Sequence, residues 1–387
     1  MSRLDAPEPG VKALFFAYFA IVGASAPYLS LYFAAKGMSI AQIGVLMALP
    51  QAVRIFGPPL WGAMADRGGR RVVLLRTSAA AATLGVLLLE AASASYVALL
   101  AVLAFYYLAT SAQAPLAETM ALAVSGGDAG RYGAMRLWGS IGFIAAVALT
   151  GPLLDALGVE RLIWVMFALC ALLLAVAWRI PETRARAAER GPPVWRRLRE
   201  PALAAFFASC FLMLFAHAAL YAFYSLYLER AGYSKTAIGL AWTIGVVAEI
   251  VLFRFQRGLF ERFGARSLLA ASLAIAALRF ALVAVVGTEA WAVVVTQLMH
   301  AITFGLHHSA VMALLHRWFG PAQQGRAQAM YTTLGYGLGG AAGGVVAGWL
   351  WAGIGPQAAF FGAAAAAALG WVAVAMVGRF DYASSEA

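Results

Sequence analysis

Residues 62–71 read Gly62-Ala63-Met64-Ala65-Asp66-Arg67-Gly68-Gly69-Arg70-Arg71, four charges in ten positions between two apolar runs. A charged, glycine-bearing turn of this kind stays in water when the chain on either side lies in lipid. The flanking runs, near 40–64 and 72–91, have the length of about 20 residues that a spanning helix needs. The rest of the chain has the same texture. Of its 387 residues 63% are hydrophobic and 12% charged, with a mean hydropathy of +0.81; soluble domains carry about 45–50% and roughly 25%. Only helices and closed barrels satisfy their backbone polar groups in lipid. A barrel would alternate apolar and polar residues in segments of about ten, whereas runs such as 79–91 and 363–377 do not alternate. The sequence therefore reads as an all-α membrane protein.

Breaks at charged or Gly/Pro-rich positions punctuate twelve spans, near 12–35, 40–64, 72–91, 95–122, 132–155, 159–179, 201–229, 235–259, 266–287, 290–317, 324–352 and 355–378. The division at 91–95 is the least marked. An even number puts both termini on one side. Loops on that side carry Arg67, Arg70, Arg71, Arg131, Arg184, Arg186, Arg190, Arg196, Arg197, Arg199 and Arg262, while the opposite loops carry Lys36, Arg230 and little else. The positive-inside rule then places both termini in the cytoplasm. The same segregation accounts for the net charge of +11 without a nucleic-acid partner, which a basic balance otherwise suggests. Residues 181–200, the longest hydrophilic stretch, form a cytoplasmic linker between six-span halves, 1–180 and 201–387. Cys170 and Cys210 lie in apolar runs, so neither a disulfide framework nor a metal site is expected. Asp5 and Glu8 ahead of a long apolar stretch do not fit a signal peptide.

Sliding the second half back by 195 residues aligns features that hydrophobicity alone does not explain. Ser30-Leu31-Tyr32 falls on Ser225-Leu226-Tyr227, Gly37 and Ser39 on Gly232 and Ser234, and Ile43-Gly44 on Ile238-Gly239. Asp66-Arg67 falls on Glu261-Arg262, Gly69 on Gly264, Arg131 on Arg326 and Met135 on Met330. A chance alignment of two apolar sequences pairs alanines and leucines. Pairing loop glycines and charges at one ungapped offset points to a duplicated unit. Transporters built from two such halves hold a small molecule near the midplane and alternate access as the halves rock.

Ionisable groups inside a span cost roughly 2.5–3.5 kcal/mol at a helix centre and are candidates for function. Glu118 and Arg136 flank Gly127 symmetrically, so on antiparallel spans they reach one depth, about 10 Å or less from the cytoplasmic face. There they can pair directly. Arg136 heads a stripe with Ser140 and Phe143, and Glu118 shares a face with Ser111 and Tyr107. A guanidinium beside an aromatic ring suits a carboxylate-bearing or polyhydroxy ligand with a flat face; the plainer alternative is an ion pair that only fixes packing. Glu249 falls on Arg54 at the 195 offset. The two can bridge the halves in one state, and a carboxylate in this setting is the first candidate for reversible protonation; the alternative is a static pair with Arg54 or Arg279. His300, Thr303 and His307 share a face with Phe304 nearby, and His308 is turned about 80–100° away. Histidine can carry protons or hydrogen-bond as a neutral ring. No carboxylate or cysteine on this helix completes a metal site. His217, Tyr221 and Tyr224 form a stripe that either packs or lines a cavity.

The stretch 62–71 resembles the signature loop of the major facilitator superfamily: Gly62, three residues, Asp66, a basic residue, one residue, Gly69, two basic residues. In this pattern Gly62 allows close packing and Asp66 can face the positive end of a neighbouring helix as a latch. Together with the weaker copy at Glu261 and Arg262, the residues Gly62, Asp66, Arg67, Gly69, Arg70 and Arg71 are read as gating loops. Tyr132-Gly133-Ala134-Met135-Arg136-Leu137-Trp138-Gly139-Ser140-Ile141-Gly142-Phe143 resembles the start of span five in lactose and nucleoside proton symporters. That likeness implies that Arg136 binds substrate, Phe143 stacks on it and Glu118 pairs with the arginine. Across most of its length the chain is similar to the 3-phenylpropionic acid transporter family. The likeness is carried by Ala216-His217-Ala218-Ala219, Ala231-Gly232-Tyr233-Ser234, Gly245-Val246-Val247-Ala248-Glu249 and Gln297-Leu298-Met299-His300 with Thr303-Phe304. Arg54 and Arg279 also stand where that pattern has arginine. Two departures matter. The sugar symporters place an acid three residues after the span-ten histidine, where this chain has Thr303. The phenylpropionate pattern puts its second span-ten histidine at His308, whereas the helical wheel favours His307.

The expectation is a twelve-helix major facilitator fold in a bacterial-type inner membrane, importing a small organic solute such as an aromatic acid together with protons. Arg136, Glu118, Ser140, Phe143, His217, Tyr221 and Tyr224 would bind substrate. Glu249, His300, Arg279, Arg54 and His307 would couple protons, the proton gradient standing in place of any cofactor or metal. Beyond solute, protons and lipid no partner is expected, and a monomer is. Alternatives are a sugar or nucleoside symporter, an exporter, and a membrane sensor that does not transport. The sequence offers no nucleophile–base spacing, metal-ligand cluster or phosphate loop to support an enzyme, and no ATP-binding domain for a primary pump.

Overall fold

The computed structural model describes residues 8–182 and 194–383, and among them the regular elements are all helices. Helices α1 (Glu8–Ser25) and α2 (Leu29–Ala35) meet at 41° around Pro27. They are followed by α3 (Ile40–Gly68), α4 (Arg71–Ala92), α5 (Tyr96–Thr110), α6 (Gln113–Ser125), α7 (Ala129–Leu157) and α8 (Leu162–Arg179). The remainder comprises α9 (Pro201–Arg230), α10 (Lys235–Val286), α11 (Ala290–Leu298), α12 (His307–Trp318), α13 (Gln324–Tyr331), α14 (Gly340–Gly353) and α15 (Pro356–Ala383). π-Helical turns at Ala301–Leu306 and Thr332–Gly339 join α11 to α12 and α13 to α14. Among the described residues nine helices are long and apolar enough to cross a membrane, ten if α1 and α2 count as one.

The breaks follow local chemistry. The faint division at 91–95 is real: α4 ends at Ala92, and the Ser95 hydroxyl accepts from the Ala98 N–H to start α5. The run 95–122, read as one span, is interrupted at Ser111–Ala112. Helix α10 is 52 residues long but carries a non-helical residue, Gly264, at φ 72° and ψ 155°. Gly69, which precedes α4, sits at φ 62°. Both glycines occupy the left-handed region that side chains disfavour, and they are partners at the 195 offset.

Contacts divide the chain into two compact units. The first holds the described residues of Met1–Met38, Val53–Ala188 and Gly232–Leu240; the second holds those of Ser39–Ala52, Glu189–Ala231 and Ala241–Ala387. In the first, α1 packs along α7 and α8. A Cβ at Gly142 would lie 2.2 Å from the Phe16 carbonyl oxygen, so this backbone approach requires glycine. The first turn of α10 also belongs to this unit. Asp155 at the end of α7 caps it, accepting from the backbone N–H of Lys235 (2.8 Å) and Thr236 (2.9 Å) and from the Thr236 hydroxyl (2.6 Å). These are donors that a helix start leaves unpaired. The buried Tyr28 hydroxyl lies 3.3 Å from the Val147 carbonyl and 3.2 Å from that of Lys235. In the second unit α9 packs on α14 and α15, and Gly44 meets Gly344, Gly348 and the ring tip of Phe223. Gly44 and Phe223 are the 195-offset partners of Gly239 and Tyr28.

A Cβ added at Gly239 would lie 2.2 Å from the Tyr28 hydroxyl oxygen and 3.0 Å from Val147. Gly239→Ala should therefore lower unfolding stability by about 1–3 kcal/mol, read as a lower melting temperature in detergent. Adding Tyr28→Phe, which removes the clashing oxygen, should recover part of that loss.

Of the linker, 183–193, with Arg184, Arg186 and Arg190, lies outside the described residues. Trp195–Arg199 forms a 3₁₀ turn. Arg197 donates to the Trp318 carbonyl (2.6 Å), forks onto Glu200 (2.8 and 2.9 Å) and lies over the Phe319 ring. Its guanidinium holds the Glu200 carboxyl below the usual carboxylate range.

Candidate functional site

Among the described residues each unit carries a cluster of charged side chains within its candidate spans. In the first, Asp128 caps α7 by accepting from the N–H groups of Gly130 and Arg131. The turn at Gly126 and Gly127 brings α6 back antiparallel to α7. Arg136 Nε and Glu118 Oε1 then stand 3.2 Å apart, with about a third of each side chain exposed (36% and 35%). The Tyr132 hydroxyl, one turn before Arg136, donates to the other oxygen of Glu118. The guanidinium lies 4.2 Å from the Phe19 ring centroid and 5.6 Å from that of Phe15, both on α1. Gly139 makes this possible, since a Cβ there would lie 2.6 Å from the Phe19 ring and 2.8 Å from Arg136 Nη1. The ring at the guanidinium is thus Phe19; Phe143 turns its backbone to Gly23, and Ser140 is half-buried. The stripe from Tyr107 through Ser111 to Glu118 is interrupted where α5 ends and α6 begins. Arg54 is exposed on α3, and Tyr18 lies within electrostatic reach of Arg54, Arg136 and Glu118.

The second unit's cluster is buried. Glu249 on α10 stands 2.9 Å from His300 Nε2. Arg279, on the far side of the Gly264 break and fully buried, donates from Nε to the Thr296 carbonyl (2.6 Å). Its Nη1 reaches His300 Nδ1 (3.0 Å) and Thr303 Oγ1 (2.9 Å). His217 on α9 stands 3.3 Å from Thr303 Oγ1 through Nε2 and 3.0 Å from the Met213 carbonyl through Nδ1. A guanidinium only donates and a carbonyl only accepts. The order is therefore directional: Arg279 donates to Thr303, Thr303 to His217, and His217 to Met213. The structure joins Glu249, His300, Arg279 and His217 in one network, with Arg54 in the other unit.

Of the helical wheel's group His300, Thr303 and His307, the first two meet at Arg279 Nη1, while His307 turns to Ser272. The π-helical turn Ala301–Leu306 has i→i+5 bonding, which widens the turn. His300 stacks on Phe304 (centroids 5.2 Å, 6° between planes), and Phe304 and His308 meet Tyr336 and Tyr331. His308 is within electrostatic reach of Glu249. His307 Nδ1 lies 3.0 Å from Ser272 Oγ.

Tyr221 stacks on Trp242 (5.9 Å, 25°) and edges His300, and Tyr224 is fully buried. Beside Tyr221 a small cleft is lined by Met47, Gln51, Leu214, Ala218 and two glycines, Gly340 and Gly344. Among the described residues no group of three His, Cys, Asp or Glu side chains is placed to hold a metal ion.

Residues 10–362 match the model of the MFS_1 like family. The chain belongs to this family. It is 30% identical over 333 residues to the Escherichia coli (strain K12) protein named "Probable 3-phenylpropionic acid transporter", covering 84% of this chain and 86% of that one. It is 31% identical over 329 residues to the maltose permease of Geobacillus stearothermophilus, covering 84% and 83%. Its fold matches the crystal structure of the nucleoside transporter NupG with a TM-score of 0.85, at 18% identity and over 97% of this chain and 99% of that one. The chain is thus a multi-pass membrane transporter of the major facilitator type, not an enzyme.

The stretch 62–71 runs through the last turns of α3, which ends at Gly68, into the start of α4 at Arg71. Arg67 is exposed, Gly69 supplies the left-handed turn, and Arg70 and Arg71 start α4. The side chain of Asp66 lies outside the described residues. At Gly62 a Cβ would meet nothing within 4 Å among the described residues, so among these the close packing expected of Gly62 is not seen. At the second loop Glu261 pairs with Arg257 (2.7 Å) on an exposed turn, and Arg262 lies over Phe263. The sequence reading gave no site role to Phe19, Tyr132, Trp242 or Gln51. Of these only Tyr132 had a signal, standing four residues before Arg136 on one helix face.

Proposed function

We propose that this transporter moves a small organic anion of the aromatic-acid kind together with protons, by alternating access. The observation that carries this reading is the contrast between the two clusters. Arg136 is a partly exposed guanidinium flanked by aromatic rings, a combination suited to a carboxylate on a flat body. Glu249 is a carboxylate drawn into a buried polar network, the setting for a group that gains and loses a proton during transport. The E. coli relative's printed name supports an aromatic acid. The maltose permease, equally similar, supports a sugar as the competing cargo.

The chain is read as twelve spans in two duplicated six-span halves. The Gly264 break divides α10 into two, and α13 with α14 and the intervening π turn supplies a further span. Both termini are placed in the cytoplasm by the arginine-rich loops. The test is cargo-driven proton entry into proteoliposomes with 3-phenylpropionate, a nucleoside and maltose offered separately. Proton entry with 3-phenylpropionate alone supports the reading; proton entry with maltose alone replaces it by the sugar reading. Phe19→Leu, which removes the ring beside Arg136, should raise the KM for 3-phenylpropionate about two- to fivefold, a loss of about 0.5–1 kcal/mol.

A further inference from the structure

Hydrogen-bond directions in the buried cluster distinguish between its titratable groups. Arg279 has five N–H donors and no acceptor. Its Nη1 lies 3.0 Å from His300 Nδ1, so Nδ1 receives that hydrogen bond through its lone pair and carries no proton. A neutral imidazole holds one proton, which is then on Nε2, 2.9 Å from Glu249 Oε1. The Glu249–His300 contact is therefore a neutral N–H donating to a carboxylate. His300 can gain a second proton only at Nδ1, where the guanidinium already stands. Glu249 is different: with Oε1 accepting from His300, Oε2 is open to a proton. Around it stand His300, then Arg279 behind His300, and His308 from α12, with Gly305 and the Phe253 ring closing the apolar side.

Resting on the proton-coupled reading above, we propose that Arg279 is a positioning residue that holds His300 as an Nε2–H donor, so that the proton exchanged during transport is taken up at Glu249 Oε2 and not by His300. The charge balance links this to the cargo. With Glu249 ionised, the Arg279–Glu249 cluster is neutral. A proton arriving from water converts the carboxylate to a carboxylic acid and leaves the guanidinium uncompensated; its buried Nη2 already has no hydrogen-bond partner among the described residues. A net positive charge in a low-dielectric interior is costly and is offset when an anion enters with the proton.

The test has a spectroscopic and a transport part. In ¹⁵N-histidine-labelled full-length protein in nanodiscs, with His300 assigned by loss of its signals in His300→Gln, Nδ1 should be bare and Nε2 protonated throughout about pH 5–8. Arg279→Lys, another donor-only cation, should keep that pattern. Arg279→Gln, whose amide also offers an acceptor, should let His300 titrate within that range. In proteoliposomes with 3-phenylpropionate, Glu249→Gln should cut cargo-driven proton entry at least about 100-fold while cargo-for-cargo exchange persists. Glutamine at 300 copies the acceptor and donor of the proposed tautomer but cannot titrate. His300→Gln should therefore slow uptake about tenfold and keep the wild-type number of protons per cargo. Titration of His300 in the wild type, or loss of protons per cargo in His300→Gln, overturns the assignment. A wild type that admits no protons with any cargo overturns the proton-coupled reading itself, while the nitrogen spectrum still reports on Arg279 and His300.

Discussion

Arg136→Ala should reduce uptake of 3-phenylpropionate at least about 100-fold in proteoliposomes while leaving the melting temperature of the protein close to wild type. The two halves of this expectation have different physical origins. Arg136 and Glu118 are each about a third exposed. An ion pair in such a setting contributes only about 0–1 kcal/mol to stability, so little of the fold depends on it. A carboxylate held by two guanidinium N–H groups gains about 1.5–3 kcal/mol from each charged hydrogen bond. Two such bonds, at about 1.4 kcal/mol per factor of ten, account for a loss of 100-fold or more. Arg136→Lys keeps the charge but loses the planar fork and should fall between alanine and wild type. Wild-type uptake by Arg136→Ala with intact folding would remove Arg136 from the cargo site. A marked drop in melting temperature with little effect on transport would make the pair a packing device.

What could be read in advance depended on whether the decisive information was local. Arg136 and Glu118 stand symmetrically about Gly127, so a short turn and the helical rise bring them together. The positive-φ glycines Gly69 and Gly264 mark turns that composition and the 195 offset already indicated. Phe19 was not legible because its place over Arg136 comes from packing of α1 against α7 and from the missing side chain at Gly139. The contact between Glu249 and His300 was not foreseen for a related reason. It depends on how α10 lies against the π turn at Ala301–Leu306, and a wheel drawn at 3.6 residues per turn cannot contain that turn. Around the same turn His300 stacks on Phe304, while His307 turns to Ser272. Gly62, assigned to close packing, has no close neighbour among the described residues; its sequence context is the same either way, so nothing local could have told the two apart.

Arg279→Met should be the most destabilising single change among the polar residues of the second unit, and the companion change Glu249→Gln should reverse most of that loss without restoring transport. Removing the guanidinium deletes donors to Thr296, His300 and Thr303 and leaves the Glu249 carboxylate without its nearby cation. Breaking a buried pair from one side costs about 3–5 kcal/mol, because the remaining charge stays uncompensated. In the double variant no charge remains to be compensated, and methionine fills much of the arginine's volume. Apolar or neutral replacements of whole buried pairs are often neutral or stabilising for that reason. Melting temperatures of the two single variants and the double variant give the coupling energy. If the cluster only holds helices together, uptake of 3-phenylpropionate should return with stability in the double variant. If Glu249 carries the proton, the double variant should fold and exchange cargo, while cargo-driven proton entry stays at least about 100-fold below wild type. Stability and proton coupling thus separate at this one pair, because a neutral buried pair suffices for packing and only an ionisable one can load and unload a proton.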